Sequence, residues 1–333
     1  MFLSMTNMMF ILTLSTGTIL SISAPSWFGA WIGLELNLLS FIPLITKNKN
    51  QYSSEAALKY FLIQALGSAL IIFSASTMLL MKDLSTIMMT APLLLKLGAA
   101  PFHFWFPQIM EGLSWPQAII LMTIQKIAPI FLLSYLIKLD TVFYIILTSG
   151  VLSAVIGSLM GLNQTSLRKI LAFSSINHMA WLLMSLTISE KVMILYFIFY
   201  CLISSSVALL FYLHQTYYFS HLINQNNLPN NFKALTSMSL LSLGGLPPFT
   251  GFFPKWIVVQ EMSTSLLFMP LIILLLSALI TLYFYLRISV SFFTLSSPKI
   301  KFLAHFSPFE LYITPMFIFI NSVGIISPSL MLM

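Results

Sequence analysis

The 333 residues contain a single cysteine, Cys201. That excludes an internal disulfide, and it excludes any cysteine-ligated cluster held by this chain alone. The cysteine lies in the apolar stretch "YFIFYCLISSS" and reads as packing. Charge is also scarce, at 7% of residues, against about 25% in ordinary soluble domains. No polar block is long enough to form a separate soluble domain. CxxC, HExxH, the P-loop and the glycine-rich nucleotide fingerprint are all missing. The paired histidines of a membrane haem are missing too, because His214 and His221 fall at a helix end and in a loop. The chain is therefore expected to hold no redox cofactor and no metal. The N-terminus "MFLSMTNMMFILTLSTGTIL" lacks the basic start of a signal peptide and the arginines of a transit peptide. The first helix is accordingly expected to be retained.

What the chain has in abundance is apolar length. Hydrophobic residues make up 59% of it, and the mean hydropathy is +0.97. Runs of about 20 apolar residues, each enough to cross a bilayer, fall near 3–22, 25–46, 56–81, 84–110, 115–138, 141–162, 167–188, 191–219, 234–262, 266–293 and 308–331. The spacing predicts an all-α polytopic membrane protein of about eleven transmembrane helices, with no competing strand or coiled-coil pattern. The net charge of +7 is scattered over short loops, a distribution that suits membrane orientation and not nucleic-acid binding. One set of connections holds Lys47, Lys49, Arg168, Lys169, Lys233, Lys299 and Lys301. The other holds Lys82, Lys138 and Lys191, each beside an acid (Asp83, Asp140, Glu190). The positive-inside rule then places the N-terminus inside and the C-terminus outside.

Two stretches repeat. "LGAAPFHFWFP" at 97–107 aligns with "LGGLPPFTGFFP" at 243–254 after one insertion, with Pro101 on Pro247, Phe102 on Phe249 and Pro107 on Pro254. Each proline deletes a backbone donor and clashes with the carbonyl four residues back, so both stretches predict a broken helix. The copies stand in the fourth and ninth helices, an odd number of crossings apart, which predicts opposite orientations. Paired broken helices in inverted repeats are the pattern of membrane transporters, with the breaks at the ion pathway. The expected organisation is a first repeat over 1–138, a second over 139–295 and a C-terminal helix within 296–333.

Four charges sit mid-span instead of at helix ends: Glu35, Lys96, Lys126 and Lys255. A charge at the bilayer centre costs roughly 2.5–3.5 kcal/mol on insertion scales, and such residues normally face the bundle interior and serve an ion path. Buried structural ion pairing is the plainer alternative, but three lysines and one glutamate cannot all pair one to one. A lysine whose burial disfavours the ammonium and whose carboxylate neighbour favours it can gain and lose a proton. The prolines add acceptors. Pro101 leaves the Leu97 carbonyl open beside Lys96, and Pro129 leaves that of Gln125 beside Lys126. Pro247, Pro248 and Pro254 do the same for Leu243, Gly244 and Thr250. Such carbonyls can hold water, and a water chain conducts protons. His178, amid Ser174, Ser175 and Asn177, is a candidate relay, with a packing histidine the equal alternative. His103 in "PFHFW" reads as a tie for the first break. Glu55 and Lys59, one turn apart, read as a local pair.

"WIGLELNLLSFIPLI", "EAALKYFLIQALGS", "LLLKLGAAPFHFWFPQIMEGLSWPQ", "LRKILAFSSINHMAW" and "GGLPPFTGFFPKW" together resemble the mitochondrial NADH dehydrogenase subunit 2 family over essentially the whole chain. These are antiporter-like core subunits of respiratory complex I, and the Met, Phe and Ile richness resembles insect versions. The resemblance implies a proton-translocating subunit of the membrane arm, in the mitochondrial inner membrane, with the N-terminus in the matrix and the C-terminus in the intermembrane space. It implies a coupled pair at Glu35 and Lys96, a central lysine at Lys126, and the lysine of the second broken helix at Lys255. His178 is placed provisionally between the last two. NADH, FMN, iron–sulfur clusters and ubiquinone would belong to partner subunits. The partners would be other membrane-arm subunits, neighbouring antiporter-like ones among them, and the lipid bilayer, cardiolipin included. A multisubunit sodium/proton antiporter shares the fold and is the rival reading, while a purely structural scaffold leaves the mid-span charges unexplained.

Overall fold

The computed structural model describes residues 5–46, 50–78, 81–224, 230–294 and 321. The predicted eleventh span, 308–331, lies outside the described residues apart from Asn321. The chain divides into two compact units, Met1–Ser153 and Ala154–Met333.

In the first unit the helices run α1 (Met5–Ser23), α2 (Trp27–Thr46), α3 (Gln51–Thr77), α4 (Lys82–Leu97), α5 (Trp105–Gly112), α6 (Trp115–Met122) and α7 (Ile124–Ser134). Helix α8 (Asp140–Gly161) contains the division between the units. The second unit continues with α9 (Leu167–Ile188), α10 (Glu190–Leu213), α11 (Phe219–Asn224), α12 (Asn230–Gly244), α13 (Phe252–Thr264) and α14 (Phe268–Thr294). Helices dominate because only a fully helical backbone satisfies its own polar groups in hydrocarbon. Among the described residues an isolated bridge, Ser166 to Tyr218, joins two loops.

Among the described residues, eight helical stretches are long and apolar enough to cross a membrane. The predicted fourth and ninth spans are different, since each is cut into two short halves, α4 with α5 and α12 with α13. The breakers act as anticipated. Gly98, with φ +69°, caps α4 in the left-handed region, and its N–H bonds back to the Leu94 and Leu95 carbonyls. Gly245, with φ +81°, follows the end of α12, and its N–H bonds to the Leu241 and Ser242 carbonyls. A non-glycine residue pays for this conformation with a Cβ clash.

Three expectations need correction. The repeat register is one residue off at its start. The left-handed glycines are Gly98 and Gly245, and the second halves begin at Trp105 and Phe252. That common offset matches Pro101 to Pro248 rather than Pro247, so the inserted residue precedes the left-handed glycine. Both Pro101 and Pro248 follow cis peptide bonds. The fifth span, read as continuous, is interrupted at Thr123 (φ −112°, ψ −79°). Its hydroxyl donates to the Ile119 carbonyl at 2.7 Å, a back-bond that bends helices. The eighth span, read to 219, ends at Leu213. The following loop instead pairs outward, with the Leu167 N–H on the Tyr217 carbonyl and the Phe219 N–H on that of Thr165.

Candidate functional site

In the first unit, Lys96 occupies the last turn of α4 and Lys126 the first turn of α7. Both are buried, at 7% and 2% exposure. They line one small cavity of about 10 Å³ with Tyr60, Gln64, Leu97, Trp105, Phe106, Leu121 and Gln125. Helix α3 builds its polar wall. Gln64 is buried there, and the Tyr60 hydroxyl donates to Gln125 Oε1 at 3.2 Å. The Lys96 side chain runs against α3 at Gly67, where an added Cβ would stand 3.4 Å from its Cγ and Cε. The Lys126 amine lies 4.8 Å from the centre of the Phe106 ring, within cation–π range. Phe106 stands in the first turn of α5, on the far side of the break that follows Lys96. It is held in turn by Trp105, whose indole N–H donates to the Leu95 carbonyl at 2.9 Å.

Glu35, in the middle of α2, is half-buried. It lies within electrostatic reach of the Lys96 amine and the Tyr60 hydroxyl, but it makes no ion pair with Lys96 at 4.0 Å or closer among the described residues. The structure therefore brings Lys96 and Lys126 together in one cavity and keeps Glu35 a step away. The Glu55–Lys59 pair is local, as expected: Lys59 Nζ and Glu55 Oε1 are 2.6 Å apart, on side chains 43% and 56% exposed respectively.

In the second unit, Lys255 is buried in the first turn of α13. Its amine reaches back across the break and donates to the Gly244 carbonyl at 2.7 Å. That oxygen is one of those the prolines were expected to release. Trp181 presents its ring to the same amine, 5.9 Å from the centroid. One turn earlier on α9, His178 Nδ1 lies 2.9 Å from the Tyr196 hydroxyl. His178, Tyr196 and Tyr200 line a small cavity of about 10 Å³ with Ile203, Ser242, Leu243, Gly251 and Pro254. His178 thus faces the floor of the second break, in the same unit as Lys255. His103 is buried in the first break, 4.1 Å from the Phe104 ring centre, and does not line the Lys96–Lys126 cavity. Sequence reasoning missed Tyr60, Gln64, Gln125, Trp181 and Tyr196. Their only signal was polar or amphipathic character at helix positions adjoining a charged one.

The transmembrane family model for NADH:quinone oxidoreductase and Mrp antiporters matches residues 24–281. NADH-ubiquinone oxidoreductase chain 2 of Anopheles gambiae is 47% identical over 302 residues, covering 88% of this chain and 87% of that one. The Locusta migratoria protein of the same name is 37% identical over 331 residues, 97% and 96% of the two chains. The chain belongs to the NADH-ubiquinone oxidoreductase chain 2 family. Solved structures agree on the fold. A chain of Thermus thermophilus respiratory complex I with bound aureothin superposes with a TM-score of 0.85 at 22% identity, over 96% of this chain and 78% of that one. A chain of the Mrp complex from Dietzia superposes at 0.75 and 15% identity, over 87% and 61%. This chain 2 family member is therefore an antiporter-like, multi-pass membrane subunit.

Proposed function

We propose that this subunit translocates protons in the membrane arm of NADH:ubiquinone oxidoreductase, with Glu35, Lys96, Lys126 and Lys255 as the proton-carrying groups and His178 as a relay. The observation that carries the reading is the shared cavity of Lys96 and Lys126, two buried amines facing a polar wall of Tyr60, Gln64 and Gln125. A buried amine with a carboxylate at a distance has two accessible charge states. At about 10 Å³ the cavity is close to the size that a single bridging water needs, and such a water would link the two amines. Electron transfer would take place in partner subunits holding NADH, FMN, iron–sulfur clusters and ubiquinone, and would alter the charge near Glu35. Neighbouring antiporter-like subunits and lipid, cardiolipin included, would surround the chain. The N-terminus would face the matrix and the C-terminus the intermembrane space. The two halves, 1–138 and 139–295, would act as inverted repeats, each contributing one broken helix.

The sodium/proton antiporter reading draws on the family model, which spans both classes. The chain 2 name of the relatives at 47% and 37% identity supports the complex I reading over it. The test is Lys255→Met in the assembled complex, in sealed membrane vesicles. Assembly should persist, because a buried charge is replaced by an apolar chain of similar length, while NADH-driven proton uptake falls. Full proton pumping by that variant would refute the proposal, and pumping that required sodium would favour the antiporter.

A further inference from the structure

Trp181 is 1% exposed on α9, the most enclosed of the long helices. Its indole N–H has no hydrogen-bond partner among the described residues. Buried tryptophans ordinarily find one, so a polar tether does not account for the position of this ring. Its two π contacts do. The Lys255 amine lies 5.9 Å from its centroid, within the range at which a ring's negative face attracts a cation. The Tyr196 ring lies parallel to it, at 6.4 Å between centroids and 4° between planes. The Tyr196 hydroxyl meets His178 Nδ1 at 2.9 Å. The amine also meets the Gly244 carbonyl at 2.7 Å, and an added Cβ at Gly245 would stand 2.9 Å from Nζ.

We propose that Trp181 is a positioning residue of the proton path: its indole face holds the Lys255 amine on the Gly244 carbonyl, and its stack on Tyr196 sets His178 from the same ring. This rests on Lys255 being a proton carrier, as proposed above. Among the aromatic residues indole binds cations best, phenyl binds them less well, and an aliphatic chain lacks the quadrupole altogether. Packing volume alone would instead rank Phe and Leu as near equals at this site.

The test uses assembled complex I carrying Trp181→Phe or Trp181→Leu, each also combined with Lys255→Met. Assembly is read on native gels, and pumping as protons moved per NADH oxidised. Trp181→Phe should pump within about twofold of the native complex and Trp181→Leu about tenfold less, the loss of one desolvated cation–π contact. Trp181→Leu should add nothing to Lys255→Met, because the cation it serves is gone. If Trp181→Leu does not assemble, Trp181→Met takes its place, as a flexible chain that fills irregular space. Equal pumping by the Phe and aliphatic variants, or a further loss on top of Lys255→Met, overturns the proposal. Impaired pumping by Lys255→Met in that same experiment leaves the functional reading standing. Normal pumping by Lys255→Met overturns both.

Discussion

Gly245→Ala separates backbone geometry from side-chain position at the second break. Residue 245 sits at φ +81°, where an L-residue costs roughly 1–2 kcal/mol. Its new Cβ would also stand 2.9 Å from both Cδ and Nζ of Lys255 and 3.1 Å from Cε. The flexible end of the lysine must shift, which disturbs the amine's 2.7 Å bond to the Gly244 carbonyl. A hydrogen bond to a charged group contributes about 1.5–3 kcal/mol net. At about 1.4 kcal/mol per tenfold, full loss of that bond would lower the population of carbonyl-bound amine by roughly ten- to a hundredfold, the upper bound for this variant. Gly245→Asn divides the two effects, because Asn tolerates the left-handed region yet carries the same Cβ. Complex amount on native gels reports the backbone part, and NADH-driven proton uptake in vesicles reports the amine. The expected pattern is reduced assembly for Ala, better assembly for Asn, and impaired pumping per assembled complex in both. Native pumping by assembled Gly245→Asn would refute the reasoning, since the clash would then have no consequence for the lysine.

Two further substitutions bracket the first unit. Glu35→Gln keeps the shape and removes the charge within reach of Lys96 and Tyr60; assembly should be normal and proton pumping reduced, and unchanged pumping would count against a role for that carboxylate. Lys59→Met should be silent in both assays, because an exposed i,i+4 pair contributes only about 0.3–0.5 kcal/mol; a pumping defect there would place the outer charges in the path as well.

The breaks were legible because proline and glycine act locally. Gly98 and Gly245 end their helices through their own φ angles, whatever surrounds them, and the mid-span charges stand out against hydrocarbon. The interruption at Thr123 was not legible, since threonine back-bonds to a carbonyl in many unbroken helices and no breaker marks this one. The repeat register was misread because two adjacent prolines and two adjacent glycines make residue-by-residue matching degenerate, and only the backbone shows which member of each pair plays the role. Tyr60, Gln64 and Gln125 come together from α3 and α7 to make the cavity wall. No periodicity within one helix reveals a wall shared between two.

The lysines of the two breaks reach a similar electrostatic position by opposite routes. Lys96 lies in the last turn of α4, at the carbonyl end of a half-helix, where the macrodipole favours a cation. Lys255 lies in the first turn of α13, the end that disfavours one. Its side chain corrects this by turning back to Gly244, the last residue of α12, and taking that helix's carbonyl instead. The route requires two things of the sequence between them. Pro248 has no N–H to offer the Gly244 oxygen, which leaves the oxygen to the amine. Gly245 has no Cβ, which leaves the amine a passage. A continuous helix would have used the carbonyl in its own ladder and left the ammonium at the wrong end of a dipole. The breakers thus give each lysine a negative helix end to support its charge, Lys96 at the end of its own half-helix and Lys255 by reaching back to Gly244.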